Sequence, residues 1–272
     1  MTDRPFRFGI VAGYAPNIEA VTSMARRAEE LGYDTLVTPD PVGGHDPLTL
    51  LAGVAAVTTR LHFGTFVMAE SFRDKRMLSW QARTLHSLSG GRFELGLGTG
   101  RPGAEERAAE LGREYGTPGQ RVARLADVVA EVKKHDDRPR LLMAGAGPKL
   151  LGLAAREADT VTFTWKPQTT EAEAESIVDR FKGIAGVRFD EIELNINLIA
   201  VGGELPTQTQ KFIGMSSAEL AAAGAVTVLP GTPSENADTV RRWRDRMGVS
   251  YVTVNASYMD KFAPIVEELS GT

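Results

Sequence analysis

The chain contains no cysteine and few histidines, and both absences narrow the chemistry open to it. Without cysteine it has no disulfide, no thiolate metal ligand and no cysteine nucleophile. The histidines show no short metal-ligand spacing, because they lie far apart at His45, His62, His86 and His135. We therefore expect no metal site.

The chain also has no excess of positive charge and no long apolar run. The 31 lysines and arginines do not outnumber the 35 acidic residues, so the net charge of -4 favours no nucleic-acid partner. No apolar run approaches the roughly 20 residues that cross a bilayer, and the first residues lead into a predicted strand without an apolar signal core. We expect a cytoplasmic protein with no membrane contact, whose partner is a small-molecule substrate.

The rest of the composition is that of an ordinary globular protein, with 42% hydrophobic and 24% charged residues. An α/β barrel commonly fills about 250 residues as one domain. Because no repeat, low-complexity tract or linker divides the chain, we expect residues 1–272 to form a single domain.

Residues 84–101 combine a helix end, a glycine turn, a strand and a glycine-rich strand tip. The helix before the turn carries one apolar face, formed by Leu78, Ala82, Leu85 and Leu88. Gly90-Gly91 ends that helix, since glycine takes the left-handed conformation readily, and the strand that follows finishes in Gly98-Thr99-Gly100. The missing side chains at this tip let a ligand or another backbone come close, so we expect a functional rim there.

Strands and helices alternate along the chain. Strands are predicted at residues 6–11, 34–38, 61–68, 93–97, 141–144, 160–165, 192–201 and 249–254. The helices between them carry start signals at Asn17, at Asp46-Pro47, and in the capping boxes that begin at Thr170 and Thr232. Residues 104–115 and 120–134 are predicted as two helices joined by a connector at 116–119, and residues 202–215 as a polar loop. Eight such units favour a closed (β/α)8 TIM barrel over an open doubly wound sheet.

Two glycine-rich strand tips are candidates for binding a phosphate. Gly145-Ala146-Gly147-Pro148 presents backbone amides at a helix start, where the partial positive charge suits an anion, although a tight turn with no ligand fits these residues equally well. Residues 98–103 match the G-x-G-x-x-G pattern of a dinucleotide-binding turn. Pro102 interrupts that turn and the next strand does not end in an acid, so we do not interpret it as a Rossmann fingerprint.

The sequence Thr-Leu-x-x-Leu-Ser-Gly-Gly-Arg-Phe-Glu-Leu-Gly-Leu-Gly-Thr-Gly at residues 84–100 resembles the fourth βα unit of the bacterial-luciferase-like family, whose members use FMN or the deazaflavin coenzyme F420. The resemblance implies a TIM barrel, an oxidoreductase that transfers a hydride, and a homodimer. The overall pattern of the chain, including Gly231-Thr232-Pro233, looks like the actinobacterial deazaflavin-dependent branch, so the resemblance favours F420 over FMN.

The resemblance also implies where the cofactor binds. The turn after the fifth strand would hold its phosphate, and the ends of the second, third and fourth strands would surround its ring. The third strand of the family often contains a non-prolyl cis peptide, which by position is Phe66-Val67 here, although these two residues could equally be barrel core. The cofactor-binding residues implied are Asp40, Thr65, Phe66, Val67, Met68, Thr99, Gly100, Gly145, Ala146, Gly147 and Pro148.

Two departures from the family leave the catalytic residues unknown. In the sugar-phosphate dehydrogenase branch a histidine follows the second-strand aspartate and a glutamate follows the fourth-strand glycines, whereas this chain has Pro41 and Arg101. Arg101 could hold an anionic substrate or could pair with Glu105 or Glu106. His45 could donate a proton or could be a surface residue.

Three further rim candidates are Tyr14, Trp165 and Lys166. The leading hypothesis is an F420-dependent oxidoreductase acting on a small organic substrate. One alternative is a monooxygenase that receives reduced FMN from a partner reductase. The other is a degenerate barrel without turnover, which the two departures and a chain shorter than usual for the family favour.

Overall fold

Eight parallel strands close into a barrel. The computed structural model describes residues 4–13, 15–40 and 44–272, with all their side chains except that of Gln208. The strands are β1 (Arg7–Val11), β2 (Thr35–Thr38), β3 (His62–Thr65), β4 (Phe93–Gly98), β5 (Arg140–Gly145), β6 (Thr160–Phe163), β7 (Glu193–Leu198) and β8 (Val249–Asn255). Neighbours in chain order pair with one another and β8 pairs with β1, which closes the ring. The predicted (β/α)8 TIM barrel is confirmed.

The described residues also form eleven α-helices, which lie in the connections and after β8. They are α1 (Ile18–Glu30), α2 (Pro47–Val57), α3 (Lys75–Leu88), α4 (Ala104–Glu110), α5 (Pro118–Val132), α6 (Pro148–Glu157), α7 (Glu171–Ala185), α8 (Thr207–Ile213), α9 (Ser217–Ala222), α10 (Pro233–Met247) and α11 (Met259–Leu269). Short 3-10 turns lie at Glu70–Phe72, Gly186–Glu191 and Ala256–Tyr258, and two-residue strands at Met68–Ala69, Ala200–Val201 and Val228–Leu229. None of the helices in the described ranges could span a membrane.

Helix starts follow the local signals of the sequence. Asn17 and Asp46 cap α1 and α2 through their side chains, and capping boxes begin α7 at Thr170 and α10 at Thr232, as predicted. Each cap satisfies an amide that the first turn leaves without a partner. The strand tips are therefore joined to helices at defined residues.

Two predictions about the connections were wrong. Thr117 forms a capping box with Gln120, so α5 begins at Pro118, and residues 118–119 belong to its first turn and not to a connector. α4 ends at Glu110, because the chain turns at Gly112 with a φ of +66°. Residues 207–213 form α8, where a polar loop was predicted, since their polar composition hides the helical periodicity.

The predicted third strand is broken at its end. β3 stops at Thr65, the peptide bond between Phe66 and Val67 is cis as predicted, and Met68–Ala69 then pairs with β4. The break places the backbone of Phe66 and Val67 at the carboxyl end of the barrel.

A buried ionic cluster fills the opposite, amino end of the barrel. Arg7 at the start of β1 bridges two acids, with 2.5 Å from Nη2 to Oε1 of Glu94 and 2.8 Å from Nη1 to Oε2 of Glu193. The side chains of these acids are 7% and 2% exposed. His62 lies 3.2 Å from Glu94, and Arg140 lies 3.4 Å from Glu193. Because this end faces away from the catalytic face of such barrels, we assign the cluster to stability.

The cluster predicts loss of stability in acid. Burial by itself would raise the pKa of Glu94, but Arg7, His62 and Arg140 outweigh burial and lower it from 4.5 to about 2. As the pH falls, the Glu94 carboxylate therefore takes up a proton in the unfolded chain before it does so in the folded chain. The charged carboxylate contributes about 3 kcal/mol to the free energy of unfolding above pH 4.5, and this contribution is lost as the pH falls towards 2. Urea unfolding at successive pH values measures this loss.

The control is Glu94→Gln, which removes the titrating group. We expect the free energy of unfolding of this variant to be lower at neutral pH and to change less between pH 4.5 and 2 than that of the wild type. Equal pH dependence of the two proteins would show that Glu94 is not responsible.

Candidate active site

A cavity of about 940 Å³ opens at the carboxyl ends of the strands. Its walls come from the tips of β2, β4, β5, β6 and β7, from the cis peptide, and from the first turns of α5 and α6. The volume lies within the range of roughly 300–1,000 Å³ that is typical of sites for small ligands and cofactors. The carboxyl face is also where barrels of this kind place their active sites.

Nine of the eleven residues predicted to bind a cofactor line this cavity. They are Asp40, Phe66, Val67, Thr99, Gly100, Gly145, Ala146, Gly147 and Pro148. Thr65 and Met68 do not line it, because both side chains are buried inside the barrel wall. The Thr65 hydroxyl donates to the carbonyl of Gly96 at 2.8 Å and accepts from its amide at 2.9 Å. The two residues thus support the wall behind the cavity.

Glycines allow the cis peptide to pack directly on β4. A Cβ at Gly96 would lie 1.9 Å from the carbonyl oxygen of Thr65, and one at Gly98 would lie 2.9 Å from Cγ2 of Val67. Any other residue would push the end of β3 away from β4. The spacing of glycines along β4 therefore brings Phe66 and Val67 to the cavity wall.

The turn after β5 exposes the start of α6. Gly147 is the N-cap of this helix and has a φ of −72°, and no side chain caps the helix. A Cβ at Gly147 would meet nothing within 4 Å, so the turn is open. Since the first amides of a helix lack partners within it and carry a partial positive charge, this end suits an anion such as a phosphate.

Asp40, the one acid in the described part of the cavity wall, is already paired. Arg73 binds both carboxylate oxygens of Asp40, at 2.6 and 3.1 Å, and also binds Asp46, the N-cap of α2, at 2.7 Å. Burial opposes the charge on Arg73, but the two carboxylates outweigh it and raise the Arg73 pKa. Asp40 is therefore held in place, and its negative charge is offset.

Two cations of the cavity wall differ from Asp40 in having no ion-pair partner within the described part of the chain. Arg101 and Lys149 line the cavity, are exposed, and form no ion pair with any residue in the described ranges. The predicted alternative for Arg101, an ion pair with Glu105 or Glu106, is wrong, because those acids begin α4 and do not reach it. The wall therefore carries excess positive charge.

Of the other rim candidates that the structure describes, one lines the cavity and the rest do not. Trp165 lines the cavity and packs against Phe163, with 5.0 Å between ring centroids. Lys166 and His45 are exposed and do not line it, and Nε2 of His45 lies 3.3 Å from the carbonyl oxygen of Pro16. The structure thus does not bring His45 to the cavity as a proton donor. Tyr14 and Pro41 lie outside the described residues.

Sequence reasoning missed one wall of the cavity. Pro118, Gly119 and Val122 of α5 line it, as does Lys149 of α6. The Thr117 capping box with Gln120 is a signal that could have placed the start of α5 correctly. No local signal shows that this helix start lies beside the turn after β5, because that depends on how α5 and α6 pack.

Comparisons with known proteins agree with this architecture. The family model described as luciferase-like monooxygenase matches residues 5–208. A solved structure of riboflavin lyase with modified FMN and riboflavin superposes with a TM-score of 0.78 over 97% of this chain and 92% of that one, at 14% identity, which shows the fold alone.

Two curated relatives are more similar in sequence over part of the chain. A Mycobacterium tuberculosis protein, provisionally named a coenzyme F420-dependent oxidoreductase, is 31% identical over 159 residues, which are 55% of this chain and 45% of the relative. The F420-dependent glucose-6-phosphate dehydrogenase of Intrasporangium calvum is 30% identical over 166 residues, 49% of this chain and 50% of that enzyme. The matches thus span about half the length of these relatives.

Proposed function

The chain belongs to the luciferase-like monooxygenase family, and from that premise we propose that it is an oxidoreductase that transfers a hydride between coenzyme F420 and a small organic substrate. The two curated relatives named for F420 support the choice of coenzyme. One structural observation carries the proposal, namely the uncapped start of α6, which opens on a cavity that the cis peptide also lines.

The residues present fit a phosphorylated redox cofactor. The amides at Ala146, Gly147 and Lys149 would bind its phosphate, and Phe66 and Val67 would support its ring. The cofactor, when bound, supplies the hydride chemistry, so the protein needs to orient it and to exclude water. The apolar wall provides that exclusion, and Arg73 keeps the Asp40 carboxylate fixed beside the ring position.

A titration of the whole chain with each cofactor tests the proposal. We expect F420 to quench tryptophan fluorescence with saturation, because Trp165 lies in the cavity wall, and Trp165→Phe to remove most of the quenching. Trp80→Phe is the matched control, since its side chain is 63% exposed on α3 and lies outside the cavity wall. Quenching by FMN alone would overturn the choice of F420 in favour of the flavin monooxygenase. Binding of neither would leave a barrel without turnover.

We also propose that the protein is a homodimer and that α3 forms part of the interface. Met77, Trp80 and Leu88 project from α3 and are 47%, 63% and 81% exposed. Their spacing places them along one side of the helix, where a second copy would remove them from water.

Sedimentation tests the dimer. We expect twice the single-chain mass of 29.3 kDa for the wild type and the single-chain mass for Trp80→Glu, because a charge would be buried in the interface. Phe212→Glu on α8 is the control, since Phe212 is 92% exposed but lies on another element. A wild type that sediments as one chain would contradict the proposal.

A further inference from the structure

We propose that the substrate carries a carboxylate and that Arg101 is the residue that binds it. This inference rests on the proposed function and names the substrate class of the same cavity. It makes Arg101 a determinant of specificity, because a guanidinium binds a planar carboxylate through two parallel hydrogen bonds.

The backbone presents Arg101 to the cavity in a defined position. Gly100, directly before it, has a φ of +85°, and a Cβ there would lie 2.9 Å from the Tyr115 hydroxyl and 3.0 Å from Cβ of Ala104. The carbonyl of Arg101 accepts the amide of Ala104 at 3.0 Å. The turn between β4 and α4 is therefore packed tightly, and Arg101 follows from it into the cavity wall.

The arginines that follow in the same connection each have a partner, whereas the Arg101 side chain has none among the residues that the structure describes. Arg107 pairs with Glu110 at 2.8 Å, Arg113 donates to the Arg73 carbonyl at 3.0 Å, and Arg124 pairs with Glu70 at 3.0 Å. No group within the described ranges engages the Arg101 guanidinium. An unpaired guanidinium in a cavity wall is available to a ligand.

The charges of the cavity wall indicate that this ligand is an anion. The ionisable side chains that line the described wall are Asp40, Arg101 and Lys149. Because Arg73 offsets Asp40, the two cations dominate the wall. Their field favours entry of a negatively charged substrate over a neutral one of the same shape.

The two cations come from different connections of the wall, Arg101 from the one after β4 and Lys149 from the one after β5. Lys149 lies in the first turn of α6, beside the phosphate turn, and a Cβ at Gly119 would lie 3.8 Å from its Nζ. Lys149 is thus placed to help bind the phosphate of the cofactor. Arg101 follows the tip of β4, on the side of the ring position, and remains for the substrate.

Binding of two probes of equal shape tests the inference. Benzoate and benzamide differ mainly in charge, and their binding to the whole chain in the presence of F420 can be measured by calorimetry. We expect wild type to prefer benzoate. Arg101→Gln should weaken benzoate binding by about ten- to hundredfold and leave benzamide unchanged. Arg101→Lys should retain part of the preference.

Two controls separate this role from others. Arg107→Gln removes an arginine of the same connection that pairs with Glu110, and it should leave both probes unaffected. F420 affinity and the thermal unfolding midpoint of Arg101→Gln should match wild type, because the side chain is exposed.

Each possible result of these binding measurements either supports or overturns the role of Arg101. Equal binding of the two probes to wild type, or a benzoate preference that survives in Arg101→Gln, overturns the inference. A parallel loss of F420 affinity in Arg101→Gln also overturns it, since Arg101 would then bind the cofactor. If wild type binds neither F420 nor FMN but prefers benzoate through Arg101, the carboxylate site stands and the proposed function fails.

Discussion

Replacement of Gly147 by aspartate is expected to weaken F420 binding by about a hundredfold or more while the protein stays folded. The φ of −72° suits any residue, and a Cβ would meet nothing within 4 Å. Aspartate is a favoured N-cap, so α6 should be unchanged or slightly more stable, by up to about 1 kcal/mol. Its carboxylate would occupy the amides proposed to bind the phosphate and would repel that group, which costs several kcal/mol.

The matched control is Gly147→Asn. Asparagine has the same shape and caps a helix as well as aspartate does, but it is neutral. Its side chain would accept from the same amides but would not repel the phosphate, so we expect it to weaken F420 binding much less than aspartate does. Fluorescence titration measures binding, and thermal unfolding confirms that both variants are folded. If the aspartate variant bound F420 as tightly as wild type, the phosphate would not lie at this turn.

Arg7→Met is expected to cost about 3–5 kcal/mol of unfolding free energy at neutral pH, because it leaves two buried acids without their shared partner. Glu94 and Glu193 are nearly inaccessible and both contact the Arg7 guanidinium within 2.8 Å. Methionine fills much of the volume of the arginine stem, so the loss reports the charge more than the packing. Urea unfolding measures it.

Arg241→Met is the control for burial. Arg241 also bridges two acids, Asp238 at 2.8 Å and Glu268 at 2.6 Å, but its side chain is 40% exposed. Solvent screens such pairs, so we expect a loss below about 1 kcal/mol. Similar losses in the two variants would contradict the assignment of the Arg7 cluster to barrel stability.

Much of the fold could be predicted because its signals are local. A cap at Asn17 or Thr232 acts within one turn, and alternation of apolar residues spans a single strand. The start of α5 shows the limit of this reasoning: the Pro118-Gly119 pair suggests a turn, but the Thr117 side chain places both residues inside the helix.

The sequence predicts where the residues of the candidate site lie, but not which of them form ion pairs. The strand tips and the turn after β5 could be located from glycines and from the family resemblance, and nine of the residues so chosen line one cavity. The partner of Asp40 could not be foreseen, because Arg73 lies 33 residues further along the chain. The sequence also could not show that Arg101 has no ion-pair partner in the described ranges, since it places two acids within five residues of it.

The sequence by itself determined the eight strand–helix units and most helix starts, and its resemblance to a known family indicated the family and where a cis peptide could lie. Only the tertiary structure decided which charges meet. Closure of the barrel brings Glu94 and Glu193 to Arg7 from 87 and 186 residues away, and it leaves Arg101 at the cavity without a partner among the described residues. The physical reason is range: caps and periodicity act over a few residues, whereas an ion pair depends on distances in space that the packing of the whole barrel sets.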